Sequence, residues 1–409
     1  MSTRRRNTVM QQRTVSPFRL ALFWLGIQAV WGALLGISLQ SRTIELAPGN
    51  ALIAYGRLAT AGAIVAAIVQ VVVGFYSDAR RRQRSRRVEF YVIGAVGGAA
   101  AIGFFYGAHT LVALTIAYVA VQAALNLAIG PYQAIIPDFV ERNRTGIASS
   151  WMAAFQGAGN AIGALAASFI ANARWLGAAL SALLLATCLV TSAHVRRLTL
   201  CVSPAGVEKR RPVTRAFVDL FISRALVYVG FYTLLGYLLF YVNGVLGPAT
   251  LADGRRETGI LIVTFTLVGA VGAALAARPS DRLDKRLVAT AGAAAFILAL
   301  ALFIASHSLG AVVGATLLAG LGWGVFLVAD WAIACRLLPM NAMAAAMGIW
   351  NLAIVLPQIV APAVTTAVLQ ALRLGLGHEA PRVAFAMALC ETLVGAAWLW
   401  RLPRCIIDQ

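Results

Sequence analysis

Charge is what this sequence has least of. Only 12% of its residues are charged, against about 25% in an ordinary soluble domain. Acidic residues are the scarcer sign, 15 against 34 Lys and Arg. A chain of 409 residues that is 60% hydrophobic, with mean hydropathy +0.81, cannot hide that surface in one water-bounded core. Cysteine and histidine are also sparse. Cys188, Cys201, Cys335, Cys390 and Cys405 form no CxxC, and His109, His194, His307 and His378 form no HExxH. A disulfide framework and a metal site are therefore not indicated. No nucleophile motif or phosphate loop occurs, so neither an enzyme nor a cofactor is expected.

What the sequence does have is long apolar runs. Twelve can be read, at 20–40, 51–77, 90–108, 110–136, 147–173, 175–195, 217–246, 258–277, 287–306, 308–335, 342–372 and 383–400. Each is near the length of roughly 20 residues that crosses a bilayer as a helix. The first follows Arg4, Arg5, Arg6, Arg13 and Arg19 but runs too long for a secretory signal, so it is read as an uncleaved first span. An all-α integral membrane fold of twelve helices is expected.

Basic residues alternate sides along this count. Arg42, Arg174, Arg255, Arg256, Arg373 and Arg382 fall on one side and Arg57 and Arg224 inside spans, which leaves 26 on the side of the termini. The positive-inside rule then puts both termini in the cytoplasm, in the plasma (inner) membrane. Scattered between spans, these cations make no contiguous nucleic-acid face. The longest connection, 196–216, holds Pro204, Gly206, Lys209, Arg210 and Arg211. It reads as a linker between a six-helix bundle at 1–195 and another at 217–409.

The densest charge lies in Val69–Arg87, where Gly74 and Asp78 precede Arg80, Arg81, Arg82, Arg84, Arg86 and Arg87. Two readings are open for the arginines: an anchor on anionic lipid headgroups, or part of a gate at the bundle rim. Elsewhere, 131–160 and 329–358 echo each other at an offset of 198 residues, each joining the fourth and fifth span of its half. Parallel repeats of this kind are a transporter architecture.

The loop after the second span resembles a motif of the major facilitator superfamily, Gly-x-x-x-Asp-Arg/Lys-x-Gly-x-Arg-Arg. Ala79 replaces its basic residue and Arg81 its second glycine. A degenerate copy, Asp281, Arg282, Leu283, Asp284, Lys285 and Arg286, sits in the matching connection of the second half. Val69 and Gln70 before Gly74, with Asn126, Gly130, Pro131 and Asp138, are similar to the sucrose-transporter-like and glycoside-pentoside-hexuronide:cation symporter branches. Gln122 stands where plant sucrose transporters keep an aspartate, so no proton-carrying role transfers there. The resemblance implies two pseudo-symmetric six-helix bundles and alternating access to one substrate. It also implies a gating set of Gly74, Asp78, Arg86, Arg87, Asp281 and Arg282.

Ionisable groups at membrane depth are costly and mark functional sites. Asp330, Arg57 and Glu391 are the candidates for ion coupling, with Asp330 foremost because helix ten lines the cavity in the resembled family. Asp219 and Arg224, near the start of helix seven, are expected to snorkel to the interface. Gln122 and Asn126 fall within about 40° of each other on helix four, with Tyr118 on the same stripe. Together with Gln28 and Trp31, Tyr228 and Tyr232, and Trp323, they form a candidate substrate site. Amides bond hydroxyls and rings cover pyranose faces, which favours a sugar or glycoside moved with a proton or Na+. The alternative is an exporter of a small hydrophobic or amphiphilic compound; lipids are the other expected partners, and a monomer is expected. The same amides could instead bond across helices as packing glue. The pairs Gly94/Gly98, Gly103/Gly107, Gly159/Gly163 and Gly310/Gly314 are read as close-packing sites.

Overall fold

Short polar side chains set where the helices begin. Thr110, Asn172, Thr214, Thr250 and Asp284 each accept a hydrogen bond from an amide two or three residues on, at 2.9–3.2 Å. Each such cap contributes about 1 kcal/mol. The computed structural model describes residues 15–79, 84–133, 135–140, 145–198, 214–337, 343–372 and 379–403. Among these the regular structure is helical, and the linker residues 199–213 lie outside it.

The long helices are α1 (Pro17–Leu46), α2 (Ala51–Ala79), α3 (Arg84–Gly107), α4 (Leu111–Tyr132), α5 (Thr145–Phe169) and α6 (Ala173–Val195), followed by α7 (Arg215–Leu246), α8 (Leu251–Arg282), α9 (Lys285–Ala305), α10 (Leu309–Leu337), α11 (Met343–Ala371) and α12 (Glu379–Trp398). Eleven of them are long and apolar enough to cross a membrane. The twelfth is α5, whose apolar character is diluted by Gln156, Asn160 and several glycines. Those glycines are used: a Cβ at Gly159 would lie 2.5 Å from the Leu25 carbonyl, and one at Gly163 would lie 2.7 Å from the Ala29 carbonyl carbon. A helix this polar is shielded by α1 on one side and α8 on another.

The glycine pairs divide. Gly94 and Gly98 press α3 against α4, but Gly103, Gly107, Gly310 and Gly314 have nothing within 4 Å of a Cβ. The small-xxx-small spacing alone does not say which face meets a neighbour. In the second half α10 crosses both α8 and α9 tightly; a Cβ at Gly292 of α9 would lie 2.7 Å from the Gly322 carbonyl.

Helices α1–α6 pack among themselves, as do α7–α12. At one end, Arg286 donates to the Leu402 carbonyl at 2.8 Å and Trp398 donates to Asp219 at 3.1 Å, so the last helix ends beside the starts of α7 and α9. This is also the end where α1 starts, because the opposite, far ends of α1 and α7 meet: Gln40 Nε2 donates to the Gly236 carbonyl at 3.3 Å. On that far side Tyr55 of α2 packs edge-on against Tyr237 and Phe240, both at 5.4 Å. Gly56 faces Thr366, Gly259 faces Ser168, and Gly36 faces Ile262, whose Cδ1 would lie 3.1 Å from a Cβ at that glycine. These cross-half contacts all fall in the far-side portions of their helices. Two π-helical turns sit there too, at Leu34–Ser38 in α1 and Val242–Leu246 in α7. The second runs into Gly247, whose φ of 62° is the left-handed value that glycine supplies freely for the turn into α8.

Candidate functional site

The polar stripe of α4 meets α2. Gln70 Nε2 donates to Asn126 Oδ1 at 2.6 Å, Asn126 Nδ2 donates to the Gln122 carbonyl at 2.8 Å and to its Oε1 at 3.2 Å, and Gln122 Nε2 donates to the Tyr118 hydroxyl at 2.7 Å. Tyr118, Gln122 and Asn126 are buried. The missing side chain at Gly62 lets α2 lie on this ladder, since a Cβ there would be 3.0 Å from Gln122 Cγ. In this conformation the amides engage one another, so a ligand reaches them only by exchanging these bonds. Gln70, marked in the sequence only by its position ahead of Gly74, joins the ladder from α2.

The second half gathers an ion pair and an aromatic cluster. Arg224 of α7 and Asp330 of α10 form a buried salt bridge, their side chains 5% and 2% exposed. Arg224 therefore does not snorkel: within the bundle a carboxylate answers it more cheaply than the interface would. Its Nη2 also donates to the Tyr228 hydroxyl at 3.2 Å, and its guanidinium lies 4.8 Å from that ring, one helical turn along α7. Tyr228 meets Trp323 edge-on at 5.0 Å, and Trp323 stacks on Phe231 at 4.2 Å. Gln358 of α11 donates to the Tyr232 hydroxyl at 2.9 Å. Tyr228, Tyr232, Trp323 and Asp330 are thus brought into one cluster, with Arg224 and Gln358 added to it.

The remaining candidates are spread out. Gln28 and Trp31 are half-buried on α1, and Gln28 packs against Gly159 of α5. Arg57 is exposed and lines an open far-side groove of about 430 Å³ with Asn50 and Thr115, away from Asp330. Glu391 faces the Thr233 hydroxyl of α7 from α12. Asp219 is held near the membrane edge by Trp398, with Arg401 and Arg215 at 3.8 and 4.0 Å.

Gly74 and Asp78 fall in the last turns of α2 and Arg86 in the first turn of α3, and Asp281 falls in the last turn of α8; their side chains lie outside the described residues, as do Arg80–Arg82. Arg87 is buried and Arg282 exposed. In the second-half copy it is Asp284 that meets a helix N-terminus. It accepts from the Arg286 amide at 2.9 Å and holds the Arg286 guanidinium at 2.7 Å.

Twelve membrane-length helices among the described residues, two sets of six closed on one side, and polar clusters buried within each set define a polytopic membrane protein of the transporter class. The Major Facilitator Superfamily model matches residues 20–362, and the chain belongs to that family. No curated protein sequence matches the chain. It is similar in fold to a bacterial homolog of the human lysosomal transporter Spinster in an inward-facing, occupied conformation. That similarity has a TM-score of 0.75 at 14% identity, covering 95% of this chain and 97% of that one. The same homolog, inward-facing and unoccupied, gives 0.73 at 14% identity, covering 97% and 98%. The nucleoside transporter NupG gives 0.70 at 15% identity, covering 94% and 98%.

Proposed function

We propose that the protein is a secondary active transporter working by alternating access, which moves a sugar or glycoside with a proton across the inner membrane as a monomer with both termini cytoplasmic. The observation that carries the substrate class is the run of amide and phenol groups inside the bundle. Gln70, Asn126, Gln122 and Tyr118 in one half have Gln358 and Tyr232 as counterparts in the other. Neutral amides and hydroxyls exchange partners with a polyol at little electrostatic cost, whereas a charged ligand would need a charged partner. The bias of Lys and Arg supports the orientation, and on that orientation the side where the two sets of helices meet is the one away from the cytoplasm.

Coupling is assigned to Asp330. A proton delivered to its carboxylate would remove the charge that holds Arg224 and so free α7 relative to α10. Glu391, beside Thr233, is the second candidate, and Arg57, exposed on the far-side groove, suits a lipid headgroup. In proteoliposomes with an imposed pH gradient, Asp330→Asn combined with Arg224→Gln should abolish accumulation while sparing exchange. Undiminished accumulation would sink the assignment, and loss with Glu391→Gln alone would transfer it. The sugar reading is tested by thermal stabilisation across a panel of sugars, glycosides and amphiphiles. A second reading, export of an amphiphile, draws on the aromatic wall of Phe231, Trp323, Phe296 and Phe326; stabilisation by amphiphiles alone would favour it.

A further inference from the structure

A cavity of about 200 Å³ lies on the far side, where the two sets of helices meet. Its polar wall is Ser38, Ser41, Arg42 and Glu45 of α1, Tyr106 of α3 and Arg255 of α8. Five of these belong to the first six helices and Arg255 to the last six, so whatever fills the cavity touches both.

The internal bonds of the cavity answer some of its groups and leave others. Arg42 pairs with Glu45 and donates to the Ala108 carbonyl, which neutralises the one carboxylate of the wall. Ser38 and Tyr106 share a hydrogen bond of 2.8 Å, and Ser41 donates to the Ser38 carbonyl at 3.2 Å. The Nε–H groups of Arg42 and Arg255 are buried without a hydrogen-bond partner among the described residues. A buried donor left unanswered is costly, more so on a cation. On α8 the neighbouring Arg256 turns outward to Asp253 at 3.6 Å, and Glu257 is about 200° round the helix from Arg255. Arg255 thus brings a net positive charge into a partly enclosed polar space.

We propose that this cavity binds a phosphate group between Arg42 and Arg255, with the hydroxyls of Ser41 and Tyr106 beside it, and that the bound anion ties the two sets of helices together in the far-side-closed state. Guanidinium suits the task because its planar fork of donors matches phosphate oxygens. The phosphate can be free in solution or the phosphodiester of a lipid headgroup, since both present the same oxygens to the two guanidinium groups.

The test uses the full-length purified protein. In micelles without lipid, inorganic phosphate should raise Tm by about 3 °C over chloride at equal ionic strength. If the source is lipid, phosphate does nothing in micelles, while micelles doped with phosphatidylglycerol raise Tm over micelles doped with diacylglycerol, which lacks the phosphodiester. In either arm the shift should vanish in Arg255→Gln, shrink in Arg255→Lys and persist in Arg256→Gln. The tying of the halves is read separately: ligand should cut labelling of Ile262→Cys by an impermeant maleimide about fivefold. No shift in either arm, or a full shift kept in Arg255→Gln, would overturn the site. A shift with unchanged labelling would overturn the coupling to closure.

Discussion

Arg224 and Asp330 show how a charge survives at membrane depth. Either alone would be an uncompensated ion in a low-dielectric interior; together they form a neutral unit that Tyr228 extends by a hydrogen bond and a ring face. Asp330→Ala should therefore destabilise the protein by about 3–5 kcal/mol, because Arg224 is stranded. Replacing both, as Arg224→Met with Asp330→Leu, should recover most of that loss in a thermal-unfolding assay while leaving accumulation dead. A double variant no more stable than Asp330→Ala would show that the pair does not act as a unit. In the first half, Asn126→Leu should cost about 1–3 kcal/mol by leaving the Gln70 amide without its acceptor. Asp330 was legible in the sequence as a costly intramembrane carboxylate. Its partner was not, because Arg224 lies near a predicted span end, where snorkelling is the cheaper outcome for a cation, and only tertiary packing decides against it.

At the scale of helices, glycine tells two kinds of contact apart. Gly292 sits where α9 crosses the backbone of α10, so Gly292→Val should cost about 1–3 kcal/mol or more through forced separation. Gly103→Ala should leave Tm unchanged or slightly raised, since the added methyl meets nothing and alanine favours the helix. Equal effects of the two substitutions in a detergent thermal-shift assay would contradict this division. Helix number and order were readable because each span needs its own apolar run. Helix α5 was readable despite its polar sequence, since 147–173 is still a run of membrane length. The partner faces were not readable: Gly159 and Gly163 pack while Gly310 and Gly314 do not, at identical spacing. The α4 stripe was likewise visible as a stripe, but the sequence carried no sign that Gly62 and Gln70 of α2 close over it.

For the whole molecule, the described cross-half contacts gather on the far side, through α1 with α7 and α8, α2 with α7 and α11, and α5 with α8. Hydropathy could give two sets of six helices, but the conformational state is a matter of which surfaces touch, and no composition records that. Alternating access requires those contacts to part. The direct test joins Gly36→Cys and Ile262→Cys with a short reducible cross-linker, in protein whose five native cysteines are serine. Transport of whichever compound stabilises the protein is then followed in proteoliposomes. Cross-linking should bring uptake to background while thermal stabilisation by the compound persists, and reduction should restore uptake. Uptake undiminished by the cross-link would contradict the account.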